Sequence, residues 1–255
     1  MEIYIIISLC IASFLAGFID AIAGGGGLIQ TPLALILLPN LAISNLIGSL
    51  KVPAITGTSI AAVHYLKNVH MQWKSLLIMA LFSCISAFFG SYLLTLVSNQ
   101  FMKPLLFFIL ILLAIYTFIK KDFGNHHPKN ISENNFLFIG CVISSFIGFY
   151  DGFIGPGTGS FLIVSFIVIL GLDFLHASAH AKLVNIASNI GSLSLFILKG
   201  KIIWILAIPM AICNGLGGWL GAKLAIKKGN QFIRIFFLVV VICTLIRLSY
   251  DIFVK

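Results

Sequence analysis

Charge is scarce in this chain: 9% of its 255 residues are charged, and only seven are acidic. A soluble domain covers its surface with about 25% charged residues, so a water-facing globular fold is excluded. The five cysteines (Cys10, Cys84, Cys141, Cys213 and Cys243) show neither Cys-x-x-Cys nor Cys/His spacing. That removes a disulfide framework and a metal site, and leaves them as small apolar residues. There is no GxSxG elbow and no HExxH pattern. Gly155-x-Gly157-x-Gly159 lacks the Gly-Lys-Ser/Thr ending and the βαβ setting of a nucleotide loop, and no cofactor is expected. The start, Met1-Glu2-Ile3-Tyr4, has no positive n-region, so residues 3–23 read as a retained helix despite the Ala21-Ile22-Ala23 pattern. A basic stripe interleaved with aromatics is missing as well. The net charge of +9 therefore does not indicate nucleic acid. The basic residues stand singly or in pairs at the ends of apolar segments, where they orient a membrane protein and meet anionic headgroups.

What the chain has is apolar length. Hydrophobic residues make up 60% and the mean hydropathy is +1.12. Segments near 3–23, 44–66, 75–98, 101–119, 135–154, 176–198, 202–225 and 231–250 approach the roughly 20 residues needed to cross a hydrocarbon core. Backbone amides in lipid must find partners within their own segment, so all should be helical. The expected fold is an all-α polytopic membrane protein of about eight transmembrane helices.

The chain also aligns with itself at an offset of 131 residues, without a gap over roughly a hundred positions. Gly17-Phe18-x-Asp20 meets Gly148-Phe149-x-Asp151, Lys51 meets Lys182, and Trp73 meets Trp204. Asn99-Gln100-Phe101 meets Asn230-Gln231-Phe232. Apolar bias does not align Asp, Lys and Trp, so we expect two tandem four-helix repeats, 1–120 and 135–255, joined by a polar linker at 121–134. The linker's His126-His127 pair reads as solvated rather than metal-binding. Parity sets the relation of the copies: four crossings each make them parallel, five make them inverted. Leu28–Leu38 spans about 16 Å as a helix, too short to cross, which favours four crossings plus a half-helix.

Two features carry chemistry in both halves. The first is an aspartate before a glycine-rich break: Asp20 before Gly24, Gly25, Gly26 and Gly27, and Asp151 before Gly155, Gly157, Thr158 and Gly159. Glycine costs about 1 kcal/mol relative to Ala inside a helix, and a break at membrane depth must be covered by protein or line a cavity. Unwound amides at the start of a half-helix suit an anion; close helix crossing is the other use such a stretch has. The second feature is a lone lysine in an apolar helix, Lys51 and Lys182, each 31 residues after its aspartate. A central lysine costs about 2.5–3.5 kcal/mol to insert. Such a pair of residues either lines a solute route, with the aspartate compensating the lysine or taking a proton, or forms a structural ion pair, or snorkels. Asn185 and Asn189, one turn apart after Lys182, are candidates to bind a solute, with Gln30, Thr56, Thr58 and Ser59 secondary. Trp73 and Trp204 read as interfacial anchors.

Ala16-Gly17-Phe18-Ile19-Asp20-Ala21-Ile22-Ala23-Gly24-Gly25-Gly26-Gly27-Leu28 resembles the first signature of the TauE/SafE family of membrane transporters. Gly148-Phe149-Tyr150-Asp151-Gly152-Phe153-Ile154-Gly155-Pro156-Gly157-Thr158-Gly159-Ser160 resembles the second, in the form found in a bacterial branch of probable membrane transporters. The resemblance implies a multi-pass protein of the bacterial inner membrane with seven to nine helices, moving sulfite, organosulfonates or related anions. One departure stands out: Pro53 follows Lys51, where the second half has Val184. An intramembrane enzyme and a non-transporting scaffold are the rivals. The enzyme would need Asp20 and Asp151 to act as a dyad, and the scaffold would leave two buried charges per half without a use.

Overall fold

A computed structural model describes residues 3–67, 69, 71–102, 104, 105, 108 and 131–228. These residues form helices and no strand. Six helices are long and apolar enough to cross a membrane: α1 (Ile3–Ala23), α3 (Ile43–Leu66), α4 (Trp73–Leu96), α5 (Glu133–Phe153), α7 (Phe174–Leu198) and α8 (Trp204–Lys228). Two are short, α2 (Gly27–Leu37) and α6 (Thr158–Val168). Most of the expected segment 101–119, all of 231–250 and most of the linker 121–134 lie outside the described residues. The outward faces are apolar, with Ile3, Phe146 and Leu198 each about three-quarters exposed. In water such faces would be an aggregation liability; against lipid they are the ordinary surface of a spanning helix.

Small residues set the packing. Along α5, Gly140, Ser144, Gly148 and Gly152 recur every four residues, and α4 meets them with Met79, Ser83 and Ala87. Along α1, Ser13, Gly17 and Ala21 do the same against Met210, Asn214 and Gly221 of α8. Stripes of this spacing let helix backbones approach closely where lipid supplies no hydrophobic drive between helices. The result is interlocked: α4 packs on α5 and α7, α8 packs on α1 and α3, and α3 meets α7 at the centre.

The same contacts give the helix directions. Ser13 meets Met210 and Phe18 meets Gly221, so α1 and α8 run the same way. Gly48 meets Lys201 and Gly57 meets Gly218, which adds α3 to that set. Met79 meets Gly140 and Ala87 meets Gly152, so α4 and α5 are parallel, and Cys84 with Gly191 and Tyr92 with Lys199 add α7. Between the sets the order reverses, since Gly48 meets Phe196 while Tyr65 meets Lys182. Matched helices of the two halves therefore run oppositely. This corrects the expectation of parallel copies. Eleven residues are indeed too short to span, but α1 and α3 point the same way, so α2 and the turn at 38–42 return the chain and act as a crossing in the parity count.

Candidate functional site

The two glycine breaks cross at the centre of the bundle. Gly24 holds φ +75° and lies so close to α6 that a Cβ there would sit 2.3 Å from the Gly159 carbonyl carbon. Only glycine satisfies both conditions. The crossing is stitched by Ser160, whose N–H donates to the Gly24 carbonyl (3.0 Å) and whose hydroxyl donates to the Ala23 carbonyl (2.7 Å). The Tyr150 hydroxyl donates to the Pro156 carbonyl (2.6 Å) and fixes the second break. The breaks thus make the close crossing foreseen for them and also form the wall of a cleft.

That cleft has a volume of about 60 Å³. It is lined by Asp20, Gly24, Gly26, Gly27, Lys51, Asp151, Gly155, Gly157, Thr158, Gly159, Asn185 and Asn189 among the expected residues. Of the expected set, Gly25 and Lys182 do not line it. Gly25 is buried, its carbonyl accepting from the Leu28 N–H (3.0 Å), and Lys182 lies behind Asp20. Gln30, Thr58 and Asn214 also contribute to the wall. Thr56 instead bonds back to the Val52 carbonyl at 3.0 Å.

Each lysine reaches into the opposite half. Lys51 Nζ donates to the Asp151 carbonyl (2.7 Å) and pairs with Asp151 Oδ2 at 2.9 Å. Lys182 Nζ donates to the Asp20 carbonyl (2.8 Å) and sits 5.2 Å from the centre of the Tyr65 ring. Both lysines are buried, so neither snorkels. Each ammonium meets a carbonyl in the last turn of a broken helix, where the helix dipole favours a cation. The equal spacing of 31 residues left the partners open; the fold brings each lysine to the aspartate of the other half.

The two aspartates are held differently. Asp151 Oδ1 accepts from the Thr158 hydroxyl (2.9 Å), and Oδ2 accepts from the Ser188 hydroxyl (2.7 Å) and from Lys51. Asp20 is half-buried and its Oδ2 accepts from the Thr58 hydroxyl (2.8 Å), with no ion pair among the described residues. With both Asp151 oxygens engaged, the two carboxyls do not form a dyad. Asn189 Nδ2 donates to Asn185 Oδ1 (2.9 Å), which leaves the Asn185 amide nitrogen without a protein partner among the described residues. The N–H groups of Gly26, Gly27, Gly157 and Gly159 likewise have none there, as expected of first-turn amides.

Two contributors escaped sequence reasoning. Ser188 lies six residues after Lys182 and one turn from Asn185, on the face those two define. Asn214 interrupts α8 beside Gly215, Gly217 and Gly218, and its amide reaches Ser13 (3.3 Å) and Gln30 (3.4 Å). Among the described residues no cluster of His, Cys, Asp and Glu is arranged to hold a metal ion.

An apolar helical exterior around a polar, charge-lined centre defines a multi-pass membrane protein with a solute-sized internal site. The comparisons give the family. The model of the sulfite exporter TauE/SafE family matches residues 9–248, and the chain belongs to that family of membrane transporters. It is 35% identical over 252 residues to a probable membrane transporter protein of Sinorhizobium, covering 98% of this chain and 95% of that protein. Over 238 residues it is 32% identical to a probable membrane transporter protein of Haemophilus influenzae, covering 93% and 92%. It is 30% identical over 239 residues to the probable membrane transporter protein YfcA of Escherichia coli, covering 94% and 87%. These names indicate a transporter rather than an enzyme. No solved structure matches the chain.

Proposed function

We propose that this protein is a secondary transporter that carries a small anion, sulfite, an organosulfonate or a related carboxylate or sulfur anion, across the bacterial inner membrane. The observation that carries the reading is the convergence in one cleft of Lys51, the Asn185 amide and four glycine amides from both breaks that have no partner among the described residues. Backbone donors at the start of two half-helices, together with an ammonium, are the groups that replace an oxyanion's hydration shell. At roughly 10–15 Å³ for each water-sized position, a cleft of about 60 Å³ takes about four to six non-hydrogen atoms. That is the size of sulfite or methanesulfonate.

The same reading takes residues 1–120 and 135–255 as two copies of one unit, inverted in the membrane and joined at 121–134. Binding near the midplane between inverted repeats, with the halves rocking around the site, is a common plan of secondary transporters. The family and the names of its relatives support transport; the lining of the cleft supports an anion. Flux into proteoliposomes across a panel of sulfite, sulfate, methanesulfonate and acetate tests it. We expect saturable uptake of at least one small oxyanion, lost in a correctly inserted Lys51→Ala variant. Inserted wild-type protein that moves none of them, or a Lys51→Ala variant at full rate, would sink the proposal.

A further inference from the structure

We infer that Asp20, and not Asp151, is the group that takes up and releases a proton during transport, so that proton and anion travel together. The inference rests on the anion reading above and assigns its coupling to one of the two aspartates. Asp151 is 2% exposed and spends both oxygens on Thr158, Ser188 and Lys51. A proton there would have to enter a buried carboxylate that already holds an ammonium and two hydroxyls. Asp20 lines the cleft with one oxygen on Thr58, and its other oxygen has no partner among the described residues.

The difference is written into the sequence. Thr158 and Ser188 fall, at the offset of 131, opposite Gly27 and Gly57. Neither glycine position can supply the missing hydroxyl. A Cβ at Gly57 would meet Asn214 Oδ1 at 1.9 Å, and one at Gly27 would meet the Pro156 Cα at 3.0 Å. The two hydroxyls that enclose Asp151 therefore have no equivalent at the matched positions beside Asp20. Among the described residues the remaining charged or titratable groups facing Asp20 are few. From α7 comes Lys182, occupied by the Asp20 carbonyl; from α3 come Tyr65, whose hydroxyl is on the Ala21 carbonyl, and Lys51 across the cleft; from α5 comes Asp151. The short helices α2 and α6 bring no charge, and α8 presents Asn214 there while its Lys223 lies over Trp219.

Ionised, the lining groups Lys51, Asp20 and Asp151 sum to one negative charge, which opposes an anion and which Lys182, on the Asp20 carbonyl behind the wall, offsets only in part. A like charge about 5 Å away weakens binding on the order of a hundredfold at an effective dielectric near 20. A proton from water added to the free oxygen of Asp20 makes a neutral carboxyl and brings the lining to zero. Anion binding and protonation then favour each other by the same factor, and a monovalent anion crosses with its proton without net charge.

Infrared difference spectra of the full chain in lipid, recorded on acidification, test the assignment without any solute. A protonated-carboxyl band is expected that disappears in Asp20→Asn, returns shifted in Asp20→Glu and survives in Ser188→Ala. No band in the wild type, or one that survives Asp20→Asn, overturns it. In proteoliposomes, an acidic exterior is expected to accelerate methanesulfonate uptake on the order of tenfold in the wild type and less than about twofold in Asp20→Asn. Methanesulfonate stays ionised throughout, so the gradient acts on the protein. Full gradient-driven uptake by Asp20→Asn also overturns the inference. A wild type that shows the Asp20 band but moves none of the panel anions supports the assignment and sinks the anion reading instead.

Discussion

Lys51 and Lys182 occupy matched places, and each donates its ammonium to the main-chain carbonyl of the aspartate in the other half. Beyond that carbonyl the halves part. Lys51 goes on to the Asp151 carboxylate at 2.9 Å, inside a shell completed by Thr158 and Ser188. Lys182 stops at the carbonyl and sits over the Tyr65 ring, so among the described residues Asp20 faces the cleft with Thr58 as its one side-chain partner. The backbone contact that joins the halves is common to both; the side-chain chemistry that fills the cleft is not. One aspartate anchors a charged wall and the other stays available.

The sharpest test of that contrast removes each lysine in turn. Lys51→Ala leaves Asp151 buried without its counter-charge, and breaking a buried pair from one side costs about 3–5 kcal/mol. Lys182→Ala removes one charge-assisted hydrogen bond and a ring contact, about 1.5–3 kcal/mol. Thermal unfolding of purified variants in detergent should place Lys51→Ala well below Lys182→Ala. Equal losses would mean that the two pairs are equivalent and that the asymmetry carries no energy.

The breaks can be compared in the same way. Gly24 and Gly155 are matched and both have positive φ, +75° and +94°. Alanine in the left-handed region costs about 1–2 kcal/mol at either. At Gly24 the added methyl also strikes the Gly159 backbone at 2.3 Å, whereas at Gly155 its nearest neighbour is the Asp151 carbonyl at 3.3 Å. Overpacking adds about 1–3 kcal/mol, so Gly24→Ala should lose more stability than Gly155→Ala. The reverse order, again by thermal unfolding, would disprove the crossing geometry. A smaller difference is expected at the hydroxyls. Ser188→Ala withdraws a bond to a buried carboxylate, about 1.5–3 kcal/mol, while Thr58→Val touches a half-buried one and should cost less stability while altering the pH response of transport.

How much of this was legible beforehand follows from what each signal reports. Apolar length located the six described spans to within two or three residues, because lipid thickness acts on sequence directly. Asp20, Lys51, Asp151 and Lys182 stood out because buried charge is costly. Their partners did not, since equal spacing of 31 residues says nothing about which half a side chain reaches. Helix direction was misjudged because α2 is too short to span yet still returns the chain. Ser188 and Asn214 carried no signal in the sequence, and only their neighbours in space give them a role. Lys182 was placed on the solute route, but its ammonium is taken by a carbonyl behind the cleft wall.

The smallest expected effect lies at the entrance to the central helices. Asp173 caps α7, its carboxylate accepting from the N–H groups of Leu175 (2.9 Å) and His176 (3.1 Å) and contacting the His176 ring. Its counterpart at the offset of 131 is Ala42, which offers no side-chain cap to α3. There Asn99 Oδ1 reaches in from another segment and accepts from the Ile43 N–H at 3.1 Å. Partial burial pushes the Asp173 pKa up, but the donors around it outweigh that and hold it below the ordinary carboxylate value. A carboxyl lowered in the folded state contributes stability above its unfolded pKa, near 3.9, and loses it as pH falls through the folded value. Asp173→Ala should therefore cost about 0.5–2 kcal/mol at neutral pH, with the difference from wild type vanishing in strong acid. Ala42→Asp should recover part of that as a gain, because Asn99 serves only the Ile43 amide and a carboxylate at 42 would be placed for the Ser44 and Asn45 amides. Thermal unfolding of both variants at neutral and acid pH checks the pair. No gain at Ala42, or a loss, would show that those amides are already served.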